Sequence, residues 1–273
     1  MGTLDGKVAV VAGASRGIGR GVAVEAALAG ATVYVTARTI EPAGDGSRTT
    51  AEEIEALGGR AVPVRCDYTD DDDVAAVFAR VAAQHGRLDL LVNSVFDASK
   101  FGATIGRPFW ELPLDIWHEV VDVGTRSAYA ASFCAAPLLL AAGSGLIVNV
   151  SARGAARYRY NVAYGAGKAA LDKMTADMAQ DLRDHSVAVV SLWPNVTRTE
   201  NLDAGAAAQP ERVMELYGDM NLLETPRYTG RAVVALAADP DVMARTGQRF
   251  WVAALAQDYG FVDENGRDHL VPE

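Results

Sequence analysis

Short runs of β-branched and aromatic residues alternate along the chain with longer stretches in which apolar positions recur every three or four residues. The runs "KVAVV", "TVYVT", "RAVPV", "LDLLVN", "GLIVNV", "VAVVSLW" and "QRFWVA" predict seven strands. Most are apolar throughout, the pattern of strands covered on both faces. Between them the spacing predicts helices, among them Ile18 to Leu28 and Asp115 to Ala136. This alternation predicts an α/β fold, a doubly wound parallel sheet of about seven strands with helices on both faces. No fixed-period repeat or low-complexity linker divides residues 1–273, so one domain is expected.

Two segments break the alternation, 96–114 after the fourth strand and 196–226 after the sixth. Both leave the carboxyl end of a strand, where open α/β sheets bind ligands, and are read as substrate-pocket segments. Phe96, Phe101, Phe109 and Trp110, with Met214 and Tyr217 opposite, are candidates to line an apolar pocket.

"VAVVAGASRGIGRG" sets Gly13, Gly17 and Gly19 between a strand and a helix, with Ser15, Arg16 and Ile18 in the same turn. Glycine lets the backbone turn tightly and approach a pyrophosphate, while free N–H groups at the helix start supply positive dipole. In this context the turn predicts a dinucleotide site and makes the domain a Rossmann domain. An NAD site expects an acid at the end of the second strand. Here that strand ends in Ala37 and Arg38. A carboxylate would repel a 2′-phosphate, whereas Arg38, with Arg16, can pair with it, so NADP(H) is expected over NAD(H).

Ser151 ends the strand "GLIVNV", and thirteen residues later "YGAGK" places Tyr164 and Lys168 one turn apart. Ala170, Met174, Met178 and Leu182 continue the helix as an apolar stripe. Reducing a ketone or aldehyde leaves an alkoxide-like oxygen that needs a proton. A phenol supplies it, a neighbouring ammonium lowers the phenol's pKa for the reverse step, and a serine hydroxyl stabilises the oxyanion. Lysine can also hold the nicotinamide ribose. By contrast, the aspartates of "TDDDDV" read as caps of a helix start, and the four histidines form no ligand motif, so no metal is expected. Arg153, Arg157 and Arg159 read as a solvated turn.

From "GASRGIG" through "VRCD", "LVN", "NVS", "YGAGK" and "SLWPNVTRTE" the chain resembles the short-chain dehydrogenase/reductase family, and looks most like its member-one type. The resemblance implies that Ser151, Tyr164 and Lys168 are catalytic. It further implies that Asp67 contacts the adenine, Asn93 lies along the adenosine ribose, and Pro194, Val196 and Thr199 embrace the nicotinamide. Four positions depart from the family pattern: Ala12 for Thr, "NSVF" for Asn-Asn-Ala-Gly, Asn195 for Gly, and Gly124 for a fourth catalytic residue, Asn. An NADP(H)-dependent carbonyl reductase or alcohol dehydrogenase follows. The departures motivate an alternative, a non-catalytic NADP(H)-binding sensor that keeps the fold.

The remaining features narrow the setting. A formal charge of −10 argues against nucleic acid and anionic membrane as partners. Two cysteines give no disulfide framework, and the start lacks a secretory pattern, so a cytoplasmic protein is expected. The apolar "AYAASFCAAPLLLAAG" is too short for a bilayer and reads as a core helix. The expected partner is a small-molecule carbonyl or alcohol substrate, fairly apolar, and the resemblance implies a homodimer or homotetramer.

Overall fold

The computed structural model describes residues 2–42, 47–97 and 101–272. All seven expected strands form: β1 (Val8–Ala12), β2 (Thr32–Ala37), β3 (Arg60–Arg65), β4 (Leu90–Asn93), β5 (Gly145–Val150), β6 (Val187–Trp193) and β7 (Arg249–Trp251). They make one parallel sheet in the order β3-β2-β1-β4-β5-β6-β7. The chain winds outward from β1 to β3, then returns to β4 on the other side of β1. That reversal leaves a crevice above the carboxyl ends of β1 and β4, the ligand position of such sheets. The last strand is shorter than "QRFWVA" suggests, because Val252 and Ala253 already begin a helix.

Side-chain alternation along the strands decides which core each residue enters. Ala9, Val11, Val33, Val35 and Val148 face helices α1 (Gly17–Leu28), α9 (Pro226–Ala238) and α10 (Val252–Tyr259). Val8, Val10, Tyr34, Leu91 and Ile147 face the opposite layer, α3 (Asp71–His85) and α5 (Ser127–Ala142). Strands buried on both sides need apolar residues at every position, which is why their runs read as unbroken. The shorter helices α2 (Thr50–Ala56) and α4 (Asp115–Trp117) lie at the rim. Asp70 caps α3, its carboxylate accepting from the N–H groups of Asp72 and Asp73.

Two helices depart from their expected form. Between α4 and α5 the backbone runs as a π-helix, His118–Arg126, that contains Gly124, and α5 continues past Ala136 through Pro137. On α6 (Val162–Leu182) the buried face is Tyr164, Lys168, Leu171, Thr175, Ala179 and Leu182. The expected stripe of Ala170, Met174 and Met178 lies half-buried on the shoulder. A polar lock sets this rotation: Asn149 on β5 donates to the Thr175 hydroxyl at 2.9 Å, drawing that face onto the sheet. Among the described residues no helix is long and apolar enough to cross a membrane.

Candidate functional site

A crevice of about 840 Å³ opens above the carboxyl ends of the strands. One end is formed by the turn from Gly13 to Gly19, the other by Ser151, Tyr164, Lys168 and Pro194.

The glycine turn is held from below. The N–H groups of Gly13 and Ala14 both donate to Thr36 O at 3.0 Å, and the Thr50 hydroxyl donates to Ala14 O at 2.7 Å. These contacts steady the turn that Ala12 leaves without a hydroxyl. Gly13 has φ +78°, and a Cβ there would come 2.7 Å from Ser94 O, so only glycine fits. At the start of α1, Arg16 gives no side-chain cap, and the Gly17 N–H instead donates to a Glu200 carboxylate oxygen at 2.8 Å. An anion thus sits at this helix end, as the exposed N–H groups and dipole favour. Ser15 and Ile18 line the same wall.

At the end of β2, Arg38 is exposed and pairs with Asp97 at 3.3 Å, while Arg16 lies 3.4 Å from the Asn201 amide oxygen. Asp67 lines the crevice, and its carboxylate accepts from the Thr69 N–H and hydroxyl. The Thr69 N–H holds this carboxyl below the usual range. Asn93 turns elsewhere: its amide donates to Asn149 Oδ1 (2.8 Å) and the Ser132 hydroxyl (3.1 Å), tying β4 to β5 and α5. Ser94, Val95 and Phe96 line the crevice in its place.

Ser151, Tyr164 and Lys168 come together as their spacing suggests. Asn161 caps α6, its Oδ1 accepting from the Tyr164 N–H at 2.9 Å while its amide donates to the Thr104 hydroxyl at 2.9 Å. That residue therefore caps the helix start just before Val162, fixes Tyr164 in its first turn and ties it to the 96–114 segment. The Ser151 hydroxyl donates to Lys168 O at 3.1 Å, and Lys168 Nζ donates to Val150 O at 2.9 Å. The Tyr164 ring stands edge-on to Phe96 (6.1 Å) and Tyr160 (5.1 Å). Tyr160 has φ +64°, a strained conformation for an aromatic residue, and the Arg159 guanidinium lies 4.7 Å over its ring.

Electrostatics here differ from the expectation that Lys168 lowers the Tyr164 pKa. Nζ is committed to the Val150 carbonyl and lies 5.8 Å from the phenol ring centroid. Burial dominates both groups: it pushes the Tyr164 phenol up, with Arg159 acting downward, and pulls Lys168 down to about 8 against the opposing charge of Asp172.

Beyond β6, Pro194 and Asn195 line the crevice. Asn195 is not among the described positive-φ residues, so replacing the family's glycine costs no backbone strain. Val196 lies behind the lining, its carbonyl accepting from the Glu224 N–H, while Thr199 lines the crevice and caps α7 (Glu200–Ala208). Glu224, invisible to motif reading, is buried, and its carboxyl accepts from the Asn195 N–H at 3.0 Å. The expected apolar pocket is only partly assembled. Phe109 and Trp110 are 63% and 73% exposed, and Met214, on α8 (Pro210–Tyr217), is also exposed. Phe109 and Trp110 sit on a short 3-10 helix, Phe109–Glu111, and the Phe101 side chain lies outside the described residues. Phe96 and half-buried Tyr217 stay near Tyr164.

Residues 7–209 match the family model for short chain dehydrogenase. The chain is 43% identical over 270 residues to mouse Dehydrogenase/reductase SDR family member 1, covering 97% of this chain and 85% of that protein. Among solved structures it is similar to one assigned as an NAD(P)-dependent gluconate 5-dehydrogenase from Beutenbergia cavernae, with NADP bound at low occupancy. That match has TM-score 0.74 and 34% identity and covers 91% and 96% of the two chains. A 7α-hydroxysteroid dehydrogenase complexed with NADH and 7-oxo glycochenodeoxycholic acid matches with TM-score 0.76 and 26% identity, covering 98% and 97%. With the glycine turn, the seven-stranded sheet and the Ser151–Tyr164–Lys168 cluster in place, the chain belongs to the short-chain dehydrogenase/reductase family, whose members bind a nicotinamide cofactor and act on alcohol and carbonyl groups.

Proposed function

We propose that the protein is an NADP(H)-dependent oxidoreductase that interconverts a small carbonyl compound and its alcohol. The observation that carries this reading is one crevice joining the glycine cradle to Ser151, Tyr164 and Lys168. The cradle suits a dinucleotide: the turn from Gly13 to Gly19 lines the crevice, and the α1 N-terminus favours an anion, a place the Glu200 carboxylate holds and a phosphate would take over. When bound, the cofactor supplies or accepts the hydride. Arg38 and Arg16 hold its 2′-phosphate, and the preference for NADP(H) rests on that charge. Asp67 and the backbone around Asn93 take the adenosine side; Pro194 and Thr199 flank the nicotinamide side, with Val196 behind them.

Tyr164 gives its proton to the developing alkoxide. The phenol is protonated at neutral pH, the form that reduction requires, and burial pushes its pKa further up. Ser151 turns its hydroxyl from the Lys168 carbonyl to the substrate oxygen. Lys168 turns its Nζ from the Val150 carbonyl to the ribose, which moves its positive charge toward the phenol for the reverse step. The two long segments belong to the same functional unit, 1–273. The exposed Tyr129 and Phe133 of α5 support association of copies. A cytoplasmic setting fits the same reading.

The test is oxidation of NADPH and NADH across ketones, aldehydes and quinones. Turnover that prefers NADPH supports the proposal. Tight NADPH binding with no turnover on any compound overturns it.

A further inference from the structure

Asp172 lies one turn beyond Lys168 on α6 and is half-buried. Its Oδ1 accepts from the Ser191 hydroxyl at 2.6 Å, and Oδ2 accepts from the Trp193 indole N–H at 3.1 Å. Ser191 and Trp193 project from the same face of β6, and Trp193 immediately precedes Pro194, the first crevice residue of that loop. Trp193 is itself wedged edge-on against Trp251 at 5.3 Å, with the Arg249 guanidinium 5.2 Å over its ring. The carboxylate thus joins the helix of Tyr164 and Lys168 to the strand end across the crevice floor.

Lys168 has few other means of remaining charged. Its Nζ meets the Val150 carbonyl and the rings of Phe96 (5.4 Å) and Tyr164 (5.8 Å), and the side chain is buried. The elements packed against α6 are β5, β6, the π-helix His118–Arg126, which carries buried Glu119, and the turn Arg153–Ala155, which carries Arg153. Asp172 lies one turn along the same helix, and its negative charge opposes the effect of burial on Lys168.

We propose that Asp172 is a positioning residue for the reaction, fastening the helix that bears Tyr164 and Lys168 to the end of β6 and supplying the negative charge that Lys168 faces one turn away. The proposal rests on the activity assigned above. A tie between helix and strand alone needs only an acceptor, whereas charge support needs a carboxylate, and three variants separate them. Asp172→Asn keeps an acceptor and loses the charge, Asp172→Glu keeps the charge, and Asp172→Ala loses both.

The chain holds four lysines, so titration of 13C-labelled lysine side chains followed by NMR resolves Lys168 directly. In Asp172→Asn its midpoint should move down by about one pH unit, the usual effect of removing a nearby opposite charge. The basic limb of the NADPH-dependent rate should move with it. Asp172→Glu should restore both, whatever Asp172→Ala does to folding. The lysine titration needs no turnover, so two failures read differently. An unmoved midpoint in Asp172→Asn overturns the proposal alone, whereas a parent inactive on every carbonyl compound overturns the activity beneath it.

Discussion

Replacing Glu224 with glutamine removes one ionisable group from behind the Pro194–Val196 loop while keeping an acceptor for the Asn195 N–H. The side chain is 2% exposed, and burial, with Asp263 nearby, outweighs that N–H and pushes its carboxyl from the ordinary 4.5 up to about 8. Between those values the unfolded chain has released the proton and the folded chain retains it. The favourable state is therefore fully present below pH 4.5 and is lost as pH rises toward 8. At about 1.4 kcal/mol per pH unit of mismatch, the parent should lose about 2.5 kcal/mol through this group between pH 5 and pH 7. That is a large part of a domain's stability and about 1 M in urea midpoint. Glutamine cannot ionise, so the variant should lack this slope and gain on the parent as pH rises. Urea unfolding followed by circular dichroism at pH 5, 6, 7 and 8, at one protein concentration, reads the difference. Parallel pH curves for parent and variant would refute the argument, because groups elsewhere contribute equally to both.

Three further outcomes test the site. NADPH should bind at least about tenfold tighter than NADH, about 1.4 kcal/mol, and Arg38→Asp should narrow or invert that ratio; equal affinities in the parent would remove the role of Arg38. Tyr164→Phe should keep NADPH binding, measured by fluorescence, while turnover falls by about 10² or more; retained turnover would mean another proton donor. At Gly124 a Cβ would sit 3.8 Å from Phe96, which packs on Tyr164, so Gly124→Ala should be tolerated. Gly124→Val should press on that ring and cut turnover severalfold with little change in NADPH affinity, and an unchanged rate would show that the π-helix and Phe96 do not transmit to the phenol.

The fold was legible because its signals are local and repeated. Seven apolar runs, each long enough for one strand and separated by helical spacing, leave little choice beyond a sheet covered on both faces. The glycine turn and "YGAGK" were legible for the same reason, since strand, turn and helix follow one another within a few residues. What the sequence hid is how polar side chains choose among distant partners. The family resemblance implies that Asn93 lies along the adenosine ribose, yet Asn149 and Ser132 claim its amide from inside the sheet. On α6 the buried face joins a bond between Asn149 and Thr175, residues of no motif, to Leu171, Ala179 and Leu182, and leaves the methionines on the neighbouring shoulder. Lys168 shows the consequence for chemistry. Its distance from Tyr164 in sequence suggests an ammonium acting on a phenol, but burial governs both groups, and Asp172, outside that spacing, acts on the lysine. The Tyr164–Lys168 spacing can therefore be read from the chain, while the protonation states of the two groups are set by residues the spacing does not contain.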